Sequence, residues 1–71
     1  MSNLAEELPR EINRVRAVQD QFKELRGMRN VMVEPQIAMM EQDISAAIQA
    51  SSAGDVIGML RAYEKLKEWA E

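Results

Sequence analysis

The sequence predicts an all-α protein: a three-helix antiparallel up-down-up bundle, or a helical hairpin with an extra N-terminal helix, self-associating in either case. Three observations predict it. Ala, Glu, Leu, Met, Gln, Arg and Lys dominate the chain, and all are good helix formers. Pro9, Gly27, Pro35 and Gly54 fall where helices should begin and end. Between those breaks, apolar residues recur at spacings of three and four, which lays them along one face of a helix.

The first helix is expected over about residues 9–26. Pro9 suits a first helical position, where its missing N–H costs nothing, and Asn3 with Glu6 three residues on resembles a capping box for a short preceding turn. Such a turn should not run through Pro9 without a kink. Leu8, Ile12, Val15, Val18, Phe22 and Leu25 form an apolar stripe of nearly coiled-coil regularity, and Gly27 should end it in the left-handed conformation. The break that follows, GMRNVMVE, contains Val31, Met32 and Val33, too apolar for a solvated linker, and these are expected to fold over one end of the bundle.

Pro35 restarts the chain, with Glu34 beside the positive end of the new helix dipole. The second helix should cover about residues 35–52. Its main face is Ile37, Met40, Ile44, Ala47 and Ile48, and a shallower second face holds Met39, Ala46 and Ala50. So wide an apolar arc implies more than one neighbour. Gly54 can end this helix and Asp55 can cap the next, over about residues 55–70, whose stripe is Val56, Met59, Leu60, Tyr63, Leu66 and Ala70. Ile57 and Trp69 lie off that stripe on opposite flanks. The Gly-Asp break occurs once, so it reads as a turn between antiparallel helices and not as one unit of a repeat array.

Composition removes several kinds of function. The chain of 71 residues is one domain with no Cys and no His, so disulfides, thiolate metal sites and the commonest general base are absent. Glu41 and Asp43 point to different sides of a helix; Glu64 and Glu68 share a face but read as solvated surface. No phosphate loop, nucleophile elbow or metal motif occurs. The expectation is a protein that is not an enzyme and uses no cofactor and no metal. No apolar run approaches the roughly 20 residues of a membrane span, and MSNLAEELPR lacks an apolar leader, so no membrane association and a cytoplasmic setting are expected.

The charges are unevenly placed. Six basic residues stand against three acidic ones between Pro9 and Arg29, whereas Asn30 through Leu60 contains no Lys or Arg. Nucleic-acid binding through the first helix is one reading, but at 100° per residue its basic side chains scatter around the axis instead of tracking one stripe. Complementarity between Arg10, Arg14, Arg16 and Lys23 on the first helix and Glu41 and Asp43 on the second is preferred, within one chain or between two. Local pairs Glu6–Arg10 and Arg16–Asp20 are also at helical spacing.

Candidate contacts with other proteins lie among the apolar residues left off the stripes. Met adapts to irregular surfaces; Met40 and Met59 read as core, and Met39 equally as core filling or as a contact with another chain. Ala46 and Ala50, four apart, would let a second helix approach closely, and Gly58 suggests the same for the third helix. Ile57 adds exposed apolar surface, and Trp69 is either a lid on the bundle end or an anchor for a partner. A chain this small buries only about 60% of its unfolded surface, which favours association with itself or with another protein.

The segments LPREINRVR, IAMMEQDISAAIQA and AGDVIGMLRAYEKLKEW resemble small helical proteins of tailed bacteriophages and prophages, over Leu8 to Trp69. The resemblance implies a bacterial cytoplasm during infection or lysogeny and a role through protein contacts, as an accessory or host-modulating factor. It implies no activity and no site residues.

Overall fold

The computed structural model describes residues 3–28 and 32–69. Arg29, Val31 and Ala70, which enter the expectations above, lie outside the described residues. The chain forms α1 (Leu4–Glu24), a 3-10 turn (Leu25–Gly27), α2 (Glu34–Ala53) and α3 (Val56–Lys67), with no strand among the described residues.

α1 begins five residues earlier than the prolines suggest. Asn3 caps it, its side-chain oxygen accepting from the Glu6 N–H at 3.1 Å while its carbonyl accepts from Glu7 at 2.8 Å. Pro9 therefore lies inside the helix. The one bond it removes would have gone to the carbonyl of Ala5, an exposed residue whose carbonyl water can satisfy. In return Leu8 is fully buried and Leu4 packs against the core. The first turn is thus part of the helix and not a separate piece.

The end of α1 also differs from expectation. Among the described residues only Gly54 has a positive φ, 68°. Gly27 instead sits in the 3-10 turn, closed by the Met28 N–H on the Leu25 carbonyl at 3.0 Å. A Cβ at Gly27 would meet open space, so neither sterics nor backbone demands glycine there. Of the junction residues expected to fold over the bundle end, Val33 is buried, whereas Met32 is 83% exposed.

The α2–α3 turn follows the sequence closely. The Gly54 N–H donates to Ser51 at 3.2 Å and the Asp55 N–H to Ala50 at 2.9 Å, the pair of bonds that defines a Schellman ending. Asp55 then caps α3, its Oδ1 accepting from the Gly58 N–H at 3.0 Å. One residue closes the second helix with its backbone and opens the third with its side chain.

Gly58 is explained by this turn. A Cβ there would lie 2.5 Å from Asp55 Oδ2, 2.9 Å from Asp55 Cγ and 3.2 Å from the Ala50 Cβ. Gly58→Ala should gain up to about 1 kcal/mol of helix propensity but displace a cap worth about as much or more and crowd Ala50, for a net loss of about 1 kcal/mol. Repeated in an Asp55→Ala background, where the carboxylate is gone, the same substitution should be neutral or stabilising. Urea unfolding of the four proteins checks the reversal. The same sign in both backgrounds would assign the constraint to Ala50 instead.

All three helices share one core: Leu8, Val15 and Val18 from α1; Met40, Ile44 and Ala47 from α2; Met59, Ala62 and Leu66 from α3. α1 therefore packs within its own chain. Residue pairs give the directions. Gln19 meets Ile37 and Arg26 meets Glu34, so α2 runs against α1; Ala50 lies beside Gly58 and Asp43 beside Trp69, so α3 runs against α2.

The helices are not matched in length. α1 and α2, with 21 and 20 residues, are about 32 and 30 Å long, while α3 has 12 residues and is about 18 Å. α3 ends level with Arg14 and Asp43. Beyond that point α1 and α2 continue alone as a two-helix arm, which draws the molecule out to 43 × 22 × 16 Å.

Candidate interaction surface

The end of α3 is tied to both other helices through Trp69. Its indole N–H donates to Asp43 Oδ2 at 2.9 Å, and its carbonyl accepts from Arg14 Nη1 at 2.7 Å. Arg14 Nη2 reaches the Leu66 carbonyl at 2.9 Å, and Glu11 grips the same guanidinium at 3.0–3.2 Å. The last carbonyls of a helix have no partners within it and carry the negative end of its dipole. Arg14 brings a charge of the favourable sign there, sharing the Leu66 carbonyl with the Trp69 N–H and binding the Trp69 carbonyl just past the helix end.

The expected pairing of α1 with α2 is accordingly confined to one ion pair and its neighbour. Arg16 lies 3.9 Å from Glu41, and Gln19, nearly fully buried, donates from Nε2 to the same carboxylate at 3.1 Å and to the Ile37 carbonyl at 3.2 Å. The other predicted members go elsewhere. Arg14 serves α3; Asp43 is taken by Trp69; Arg10 pairs with Glu7 at 3.6 Å within α1, not with Glu6. Lys23 makes no ion pair among the described residues. The reason is reach: side chains on the flank of α1 next to α3 meet its exposed carbonyls first. A further pair, Arg26 with Glu34, spans the α1–α2 junction.

The apolar candidates separate in the same way. Met39 is 55% exposed and Ile57 is 65% exposed. Ala46 is exposed and lines an open depression of about 430 Å³ along the outside of α2 with Ala38, Glu41, Gln42, Ser45 and Gln49. Ala50 faces inward, because the helix that approaches it is α3 of its own chain at Gly58. Trp69 is half-buried as a lid, yet its edge joins Met39, Asp43, Lys65 and Glu68 around a cleft of about 300 Å³ where α3 stops.

Further apolar residues are exposed, some of which the stripes placed inside. Leu25 in the 3-10 turn, Met28 and Met32 in the α1–α2 junction, and Met39 on α2 are exposed on the part of the molecule that α3 does not reach. At the opposite end Val56, Ile57 and Leu60 are exposed on α3, and Ile48 is exposed on α2. Periodicity alone could not find the exposure of the stripe residues Leu25, Ile48, Val56 and Leu60, since it reports which face is apolar and not whether a neighbour covers it. Among the described residues no group of three or more acidic, His or Cys side chains could hold a metal ion, and no helix is long and apolar enough to cross a membrane. No family model, curated protein or solved structure matches the chain.

Proposed function

We propose that this protein is a noncatalytic helical interaction module that associates with itself and acts by binding another protein. The observation that carries the reading is the uncovered apolar surface: Leu25, Met28, Met32 and Met39 on the arm, and Val56, Ile57 and Leu60 on α3. Contiguous exposed apolar side chains rimmed by polar ones favour protein contact. The resemblance to phage and prophage proteins supplies the proposed setting, an accessory or host-modulating role in a bacterial cytoplasm. Against the nucleic-acid alternative, Arg14, Arg16 and Arg26 are engaged within the chain, which leaves the first helix with few cations to track phosphates.

Sedimentation equilibrium over a micromolar concentration series tests the self-association. The apparent mass should rise above 8.1 kDa with concentration. A single species of monomer mass throughout would overturn the proposal, and salt-sensitive retention of duplex DNA would favour the alternative.

A further inference from the structure

We infer that Met28, Met32 and Met39 form an oxidation site, where a peroxide converts three thioethers to sulfoxides without unfolding the chain and so switches off the contact proposed above. The control over association rests on that reading, whereas the selectivity among the methionines does not. The first support is what the chain lacks. With no cysteine there is no thiolate to take a peroxide first, and the thioethers are the nucleophilic sulfurs that remain.

The second support is a division in exposure. Met28, Met32 and Met39 are 56%, 83% and 55% exposed, whereas Met40 has no exposed surface and Met59 retains 8%. The contrast is sharpest at Met39 and Met40, which are consecutive on α2, one in water and one in the core. An oxidant in solution meets Met39 directly but reaches Met40 only when the helices part. Because open forms of a stable domain are populated at about one part in a thousand or less, Met40 should react at least about a hundredfold more slowly.

The third support is what the product does at each place. The sulfur lone pair attacks one peroxide oxygen, the O–O bond breaks, and the other oxygen leaves as water, or as an alcohol from an alkyl hydroperoxide. Each sulfur loses two electrons and the peroxide gains them. The new S–O group is strongly polar. In the core, among Ile44, Ala47 and Leu66, it would find no donor. At Met28 and Met32 water solvates it. Met39 lines the cleft beside Trp69 together with Lys65, which offers an ammonium donor to the new oxygen. Oxidation of all three leaves Leu25 as the apolar residue of that exposed set, so the surface loses most of its apolar character while the core keeps its own. A thiol-dependent methionine sulfoxide reductase reverses the step, the oxygen leaving as water while two thiols close to a disulfide.

Hydrogen peroxide treatment of the full chain, followed by peptide mapping with tandem mass spectrometry, tests the site. Sulfoxide should accumulate at Met28, Met32 and Met39 while Met40 and Met59 remain thioethers and far-UV circular dichroism is unchanged. Met1, outside the described residues, is read separately in the same map. Comparable rates at Met39 and Met40 would overturn the assignment, as would loss of helix in step with oxidation. In sedimentation equilibrium the oxidised chain should associate about tenfold or more weakly, and reductase treatment should restore it. A variant carrying Met28→Leu, Met32→Leu and Met39→Leu keeps the apolar surface and should associate equally with and without peroxide. If the unaltered chain associates and sulfoxides at all three positions leave that unchanged, the switch is overturned while self-association stands. If the unaltered chain sediments as a monomer throughout, the switch falls with the self-association, and the mass map still decides the selectivity.

Discussion

Ile44→Ala is expected to cost about 3–4 kcal/mol, the upper-middle of the range for truncating a fully buried aliphatic side chain. Ile44 has no exposed surface and sits halfway along α2, where α1 and α3 both press on it. Alanine there leaves a cavity that three helices must close at once, and helices tied at both ends close poorly. A chain of 71 residues has a total stability of about 4–11 kcal/mol, so this one change removes a large share of it. The thermal midpoint should fall by about 12–30 °C, at about 4–8 °C per kcal/mol. Ile48→Ala, one turn further along the same helix, should cost under about 1 kcal/mol, because that side chain is 43% exposed. Urea unfolding followed by far-UV circular dichroism, at one fixed protein concentration, measures both. Equal losses at the two positions would mean that the core is not centred on Ile44.

Arg14→Ala is expected to cost about 2 kcal/mol. The substitution removes the Arg14 bond to the Trp69 carbonyl, leaves the Leu66 carbonyl only its backbone donor, the Trp69 N–H, and strips Glu11 of its partner. Charge-assisted hydrogen bonds contribute about 1.5–3 kcal/mol each when shielded, but the Arg14 side chain is 27% exposed, so water recovers part of the loss. Arg14→Met keeps the apolar stem and should lose nearly as much. Arg14→Lys keeps the charge at the dipole's negative end but not the planar fork, and should fall between. Amide hydrogen exchange in the last turn of α3 distinguishes a lost cap from lost packing: exchange should accelerate there first, ahead of α2. Uniform acceleration across the chain would argue that Arg14 acts only through global stability.

The core was legible because it depends on periodicity. Leu8, Val15 and Val18, then Met40, Ile44 and Ala47, then Met59 and Leu66 all lie on the predicted stripes and are buried. The hinge of the α2–α3 hairpin was legible because Gly54 and Asp55 have local chemistry that admits few alternatives. Pro9 misled, since a proline can be carried inside a helix when the carbonyl it orphans is exposed and the turn before it buries Leu4 and Leu8. Gly27 misled because a 3-10 turn can end a helix without a left-handed residue.

Of the candidate surface, Met39 and Ile57 were found as apolar residues off the main stripes. Ala50 was drawn inward by Gly58 across the α2–α3 turn, and Trp69 by Asp43, 26 residues away. Arg14 was read as a member of a charged face, and nothing local indicated that its targets are backbone carbonyls more than 50 residues away, at separations of 52 and 55. Gln19 carried no signal of its burial, because an amide on the flank of an apolar stripe is equally at home in water. Leu25 lies on the stripe and is exposed because α3 ends too soon to reach it.

The placement of Trp69 has a practical consequence for watching this molecule in solution. The chain holds one Trp, one Tyr and one Phe, and the first two, Tyr63 and Trp69, lie on α3 or directly after it. Intrinsic emission therefore reports whether the end of α3 is seated against Asp43 and Arg14. Fraying confined to the far end of the arm, whose aromatic residue among those described is Phe22, should leave this emission unchanged, whereas loosening at Asp43 or Arg14 should alter it.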